Sequence, residues 1–167
     1  MGEVIVRQAL PADVRRIHDI IEPYVIRRIL LGKELVTLYE AIQEFVVAEV
    51  DGRVMGCGAL HVMWEDLGEI RTIAVESSAM GEGIGKHIYI ELEKRAAMLG
   101  LQRLFCLTFE TDFFAGQGFE AVADEVVDPD VYRELLHSND GGIAEFLDLA
   151  HVKPNTLGNT RMLKQLG

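Results

Sequence analysis

No apolar run in this chain reaches the length of a membrane span, which speaks against a bilayer-crossing helix. The N-terminus, Met1-Gly2-Glu3-Val4-Ile5-Val6, lacks a basic region ahead of a long apolar core, so no secretory signal is expected. Cysteine is scarce, with 2 in 167 residues. Cys57 and Cys106 stand in apolar, strand-like segments, not at metal-ligand spacing. A disulfide framework and a metal site are therefore not expected, and two reduced core thiols in a cytoplasmic protein are. Positive charge is also short: 16 Lys and Arg face 27 Asp and Glu, for a net charge of −11. Without a basic cluster or a basic–aromatic pattern, neither nucleic acid nor an anionic membrane is an expected partner. Repeats, low-complexity tracts and linkers are missing too. A single domain over residues 1–167 is expected, long enough for a real core.

What is present reads as alternating strands and helices. Val4 to Arg7 is a strand, and Leu10-Pro11-Ala12-Asp13 opens a helix with Pro11 in its first turn. Val14, Ile17, Ile20, Ile21 and Tyr24 form its apolar side, and Pro23 marks its expected end. A second helix is expected from near Thr37. Phe45–Val50 and Val54–Met63 read as strands joined by Asp51-Gly52, the preferred chemistry of a two-residue hairpin. Asp66-Leu67-Gly68 reads as a turn into a strand over Glu69–Val75. A helix over Gly83–Leu99 stops at Gly100, and Leu104–Phe109 is a buried strand. A short helix broken by Gly116 and Gly118 follows. Asp128-Pro129 starts another, with Val131, Leu135 and Leu136 inside and Asn139–Gly142 ending it. Phe146–Val152 and Arg161–Leu166 read as last strands. This order gives a mixed sheet with helices on both faces, in which the Glu69–Val75 and Leu104–Phe109 strands run parallel.

Between strand and helix lies Met80-Gly81-Glu82-Gly83-Ile84-Gly85. Such a glycine turn aims backbone N–H groups at one spot. The first helical N–H groups have no partner within the helix, and the helix dipole adds partial positive charge. That is a place for a phosphate or pyrophosphate. A tight connection alone would also need the glycines.

Arg7-Gln8-Ala9-Leu10-Pro11-Ala12-Asp13, then Ile73-Ala74-Val75 with Gly83-Ile84-Gly85, then Phe113-Phe114-Ala115-Gly116-Gln117-Gly118-Phe119 occur in an order that resembles the GNAT superfamily of acyl-CoA-dependent N-acetyltransferases. Cys57-Gly58-Ala59-Leu60, Leu67-Gly68-Glu69-Ile70, Leu104–Thr108 and the tail from Val152 to Leu163 resemble the acetyltransferase domain of N-acetylglutamate synthases. The resemblance implies an α/β fold with a mostly antiparallel sheet, a central parallel strand pair and helices on both faces. It implies acetyl-CoA as co-substrate, no metal, and acetyl transfer to the α-amine of L-glutamate or L-glutamine, the first step of arginine biosynthesis. It also implies the short form, without an amino-acid-kinase-like domain; a homodimer is compatible with it. The chain departs from the pattern at three places. Met80 stands where Gln or Arg is usual, Glu82 where a basic residue is frequent, and Phe114 where many members carry a tyrosine acid.

The resemblance assigns acetyl-CoA to Ile73, Ala74, Val75, Gly81, Glu82, Gly83, Ile84, Gly85, Lys86 and Phe114, with His87 near the phosphates. Ile73 and Val75 also read as core; their backbone groups can pair with an extended arm as an added strand does. A bulge in this strand would splay it from its neighbour, but no residue signals one. An amino acid is mostly ammonium at pH 7, so a base must take a proton, directly or through a water. Glu69 is the candidate. Strand alternation puts it on one face with Arg71, so a surface ion pair is the competing reading. Arg28, Lys33, Arg71 and Arg161 are candidates for the substrate carboxylates, since cations, arginine above all, suit them. Cys57, Tyr89, Cys106 and Thr108 are conceivable proton donors to the leaving thiolate, and each also reads as core. The net charge favours a cationic acceptor instead, so transfer to a polyamine, a drug or a protein N-terminus stays open. So does an acyl-CoA sensor without turnover.

Overall fold

The protein is described by a computed structural model covering residues 2–123, 126–143, 146–147 and 158–167. Its strands are β1 (Val4–Gln8), β2 (Phe45–Val50), β3 (Arg53–Trp64), β4 (Leu67–Val75), β5 (Arg103–Thr108), β6 (Glu120–Ala121) and β7 (Thr160–Gln165). Its helices are α1 (Val14–Ile26), α2 (Leu35–Glu40), α3 (Ile84–Met98), α4 (Thr111–Gly116) and α5 (Pro129–Leu135). The strands form one sheet in the order β1-β2-β3-β4-β5-β7-β6. Every pairing is antiparallel except β4 with β5, which are parallel and joined through α3. The mixed sheet with its one parallel pair is as expected; β6 was not read from the sequence.

Alternation along the strands sorts side chains to two faces. Val46, Ala48 and Val50 of β2 join Leu60, Ile70, Leu104 and Cys106 under α3, which buries Ile84, Ile88, Tyr89, Leu92 and Ala96. The helix lies close because β3 offers no side chains there: a Cβ on Gly58 would stand 2.6 Å from Ile88 Cγ2. On the opposite face, Val14, Ile17, Ile20 and Ile21 of α1 and Leu38 of α2 cover Phe45, Val47, Cys57 and Ala59. Farther along that face Leu135 of α5, Ile143 and Phe146 cover Met63, Leu67 and Phe105.

Several boundaries differ from those read in the sequence. Pro23 does not stop α1 but lies within its last turn, where one missing N–H interrupts little. The second helix starts at Leu35, two residues earlier than expected. The turn after β3 is Glu65-Asp66, and Leu67 and Gly68 already belong to β4. Leu99 is 60% exposed and Leu136 57%, because each lies just past its helix end and escapes the inner face. Phe146 and Leu147 are helical, not the start of a strand; the rest of the expected Phe146–Val152 strand lies outside the described residues.

Candidate active site

The parallel pair holds together only briefly. Leu67, Gly68 and Glu69 pair with Arg103, Leu104 and Phe105; past them β5 stays on β7 as far as the Thr108–Thr160 pair. On its other side β4 carries a bulge. Cys57 faces Ala74 and Ala59 faces Arg71, so Thr72 and Ile73 together oppose Gly58. Thr72 takes a left-handed φ of 57°, unfavourable for a β-branched residue, and its carbonyl accepts the Cys57 thiol at 3.5 Å. The bulge turns β4 away from β5 and opens a cleft of about 590 Å³. Arg71, Thr72, Ile73 and Val75 line one wall, and Leu107, Thr108 and Phe109 the other. Tyr24 and Leu30 close it on one side and Phe113 and Phe114 on the other. The Tyr24 hydroxyl donates to the Val75 carbonyl at 2.6 Å, fixing the end of α1 to the end of β4.

The glycine turn forms the far end of this cleft. Gly81 and Gly83 both have left-handed φ, 83° and 81°, and Gly83 caps α3. The His87 N–H bonds to the Gly83 carbonyl, so the N–H groups of Ile84, Gly85 and Lys86 have no helical acceptor. A Cβ placed on Gly81 or Gly83 meets nothing within 4 Å, so the space over the turn is open. Gly81, Gly83, Ile84, Gly85, Lys86, Ile73, Val75 and Phe114 all line the cleft. Ala74 is buried on the α1 side of the sheet, and Glu82 is exposed outside the cleft. His87 is exposed, with Nδ1 2.8 Å from the Gly83 carbonyl.

Glu69 stands where β4 and β5 part. It is 4% exposed, not a surface residue. Its Oε1 accepts Arg71 Nε at 2.6 Å, and among the described residues nothing bonds to Oε2. Arg71 is forked on its other edge, with Nη1 and Nη2 donating to Asp140 Oδ2 and Oδ1 at 3.0 and 2.6 Å. His61 is the cross-strand partner of Glu69, and its Nδ1 is 2.6 Å from Glu44 Oε2. Burial pushes the Glu69 carboxyl above the usual range, while the Arg71 charge and hydrogen bond pull against that shift. Burial would raise Asp140 as well, but the Arg71 fork outweighs it and holds that carboxyl well below the ordinary value. Lys33 is held below its usual value, by burial first and by repulsion from Arg71 second. A carboxylate with raised basicity thus lies buried behind the cleft wall, with cations beside it; of Glu69, Arg71 and Lys33 only Arg71 lines the cleft.

The fold brings Glu69, Arg71 and Lys33 together. Arg161 is buried on the same sheet face, its guanidinium 5.5 and 5.6 Å from the ring centroids of Phe105 and Phe146. Arg28 is exposed just past α1 and does not line the cleft. Of the four conceivable acids, Thr108 alone lines it; its Oγ1 accepts the Glu110 N–H at 2.8 Å. Burial pushes the Cys57 thiol up to about 12 and Cys106 higher still. The Tyr89 hydroxyl faces Lys164 at 3.3 Å. Glu44, His61, Asp140 and Tyr24 were not singled out from the sequence. Asp140 sits in Asn139-Asp140-Gly141-Gly142, which signals only a helix end, and Tyr24 carries only a core signal.

The sequence pattern of the acetyltransferase (GNAT) family matches residues 15–119. A Mycobacterium tuberculosis protein named amino-acid acetyltransferase is 54% identical over 95% of this chain and 92% of its own length. A Neisseria meningitidis protein of the same name is 34% identical over 81% of this chain, which spans only 31% of that longer protein. Among solved structures, Mycobacterium tuberculosis Rv2747 in complex with CoA and NLQ superposes with a TM-score of 0.92 and 53% identity, covering 98% and 99% of the two chains. N-acetylglutamate synthase from Neisseria gonorrhoeae, complexed with coenzyme A and N-acetyl-glutamate, gives a TM-score of 0.78 at 26% identity, over all of this chain and 36% of that one.

Proposed function

The chain belongs to the acetyltransferase (GNAT) family, and we propose that it moves the acetyl group of acetyl-CoA onto the α-amine of L-glutamate or its amide L-glutamine, with Glu69 as general base. One observation carries this reading: Glu69, a buried carboxylate of raised basicity, stands where β4 and β5 part and bonds to Arg71, which lines the bulged cleft. The glycine turn suits a pyrophosphate, since its helix-end N–H groups face open space and Lys86 adds a cation. The backbone of Ile73 and Val75 lines the path an extended pantetheine arm would follow. When bound, acetyl-CoA supplies an activated thioester. The chain's own residues deal with the amine. Glu69 Oε1 is engaged by Arg71, so Oε2 is the oxygen left to draw a proton from the ammonium group, directly or through a water.

Among the cations, Lys33 is the one this reading assigns to a substrate carboxylate. An anion beside it would offset the repulsion from Arg71 and favour its charged form. Arg71 already serves two carboxylates, and Arg28 and Arg161 receive no substrate role. The named activity of the Mycobacterium tuberculosis relative and the N-acetyl-glutamate held by the gonococcal enzyme support an amino-acid acceptor. On this reading the protein begins arginine synthesis. Both cysteines are free thiols, in keeping with the cytoplasm we assign it to. The acetyl-CoA test follows thiol release with glutamate, glutamine and a polyamine, with products identified by mass. Acetylated glutamate or glutamine is expected. A polyamine product alone, favoured by the net charge of −11, would overturn the acceptor assignment, and no thiol release with any of these amines would overturn the enzyme.

A further inference from the structure

Three of the five N–H donors of Arg71 are taken by carboxylates. Its Nε is on Glu69, and its two terminal nitrogens fork onto Asp140. The planar fork fixes direction as well as contact. Asp140 is itself held: its Oδ1 accepts the Ile143 N–H at 2.9 Å, and its own N–H donates to Ser138 Oγ at 3.1 Å. Ile143 is buried against the core around Phe105. Gly142 fills the last approach, for a Cβ there would stand 2.5 Å from Arg71 Nη2. The 138–143 segment is thus built around one carboxylate that holds one guanidinium.

We infer that Asp140 is a positioning residue, holding Arg71 in the single orientation that keeps its Nε on Glu69. This rests on the reading of Glu69 as base. It also makes Arg71 part of the base's support. Without the fork, Arg71 is free to swing, and a buried carboxylate without its cation binds its proton more tightly. Other titratable or charged groups lie near Glu69: His61 of β3, bonded to Glu44, Lys33 ahead of α2, and the neutral thiol of Cys106 of β5, while Arg161 of β7 stacks over Phe105, the strand partner of Glu69. None of them bonds to the Arg71 guanidinium among the described residues.

The two possible actions of Asp140 have opposite signs. If its charge alone mattered, removing it would make Glu69 more acidic, since one negative neighbour would be lost. If it positions Arg71, removing it makes Glu69 less acidic. The test is the rate ratio of variant to wild type, measured from pH 6 to 9.5 with saturating acetyl-CoA and the amino acid that wild type acetylates. The ratio cancels the amine's own ionisation. Asp140→Asn should shift the acid limb upward by about one unit, so the ratio falls about tenfold at the acid end and recovers with rising pH. Gly142→Ala, which crowds the same guanidinium from outside the pair, should give the same shape and carries the test if Asp140→Asn does not fold. A flat ratio, or one that is highest at low pH, overturns the inference. Glu69→Gln tells the two readings apart: a variant profile that keeps the wild-type limb overturns Glu69 as base. Loss of that limb, with Asp140→Asn unchanged from wild type, overturns only Asp140.

Discussion

Phe114 stands where the resemblance of the sequence implies a proton donor, yet its ring has nothing to donate. It packs edge-to-face with Tyr89, Phe113 and Phe119, at centroid distances of 6.3, 5.1 and 5.1 Å, and it lines the cleft. Its part is to shape the wall. Phe114→Leu should lower turnover by less than about tenfold, well short of the loss expected when a proton relay is cut. Steady-state rates at saturating acetyl-CoA check this; complete loss of turnover with cofactor binding intact would contradict it. Tyr89 is the nearby hydroxyl that could be mistaken for a replacement acid. Its Oη is 3.3 Å from Lys164 Nζ, which also pairs with Glu93 at 2.9 Å, so it faces away from the cleft. Tyr89→Phe should leave the pH dependence of turnover unchanged, and a lost alkaline limb in that variant would restore Tyr89 as an acid.

At the level of elements, the site is made by a bulge and a turn. The glycine turn was legible because its residues must be glycine: left-handed φ at Gly81 and Gly83 demands it. Gly83→Val should weaken acetyl-CoA binding at least about tenfold, since a branched side chain in that conformation disrupts the α3 cap and fills the open space. Calorimetry on the folded variant decides; unchanged affinity would remove the turn from the binding site. The bulge was not legible. Thr72 is an ordinary strand residue by type, and its positive φ is imposed by its surroundings. Thr72→Gly should therefore stabilise the fold by up to about 1 kcal/mol in denaturant titrations. A second irregularity hid His61. A regular two-residue hairpin through Glu65-Asp66 would set Val62 against Glu69; the register shift between Val62 and Trp64 brings His61 there instead. Asp140 was hidden for a different reason. It is 69 residues from Arg71, and only the packing of α5 and Ile143 on the sheet brings the two together. Strand order, the parallel pair and the α3 stripe followed from periodicity, which local residues carry. Register and long-range pairing follow from the fold.

Across the whole molecule, two arginine-held aspartates and one buried glutamate pull stability in opposite directions with pH. Asp13, bonded to Arg7, and Asp140, forked by Arg71, bind protons more weakly folded than unfolded. Their contribution is full above the unfolded value near ~4 and is lost as pH falls through the folded values. Glu69 has the reverse sign: with its carboxyl raised by burial, its contribution is full below the unfolded value and lost as pH rises through the folded one. Wild-type stability should fall steeply below about pH 4. Glu69→Gln should gain stability relative to wild type as pH rises from about 4.3 through the folded value of Glu69, then level off. Chemical denaturation at a series of pH values measures both, and a stability difference independent of pH would mean that Glu69 is not raised. A carboxylate kept basic at a cost to the fold is what a general base requires. The most direct test of that claim is the pH–rate profile of wild type and Glu69→Gln with glutamate and glutamine. The variant should lose about 10²-fold or more in turnover near neutral pH, lose less at high pH where free amine is abundant, and bind acetyl-CoA as before. Coincident profiles would contradict the account and leave Glu69 as no more than the ion-pair partner of Arg71.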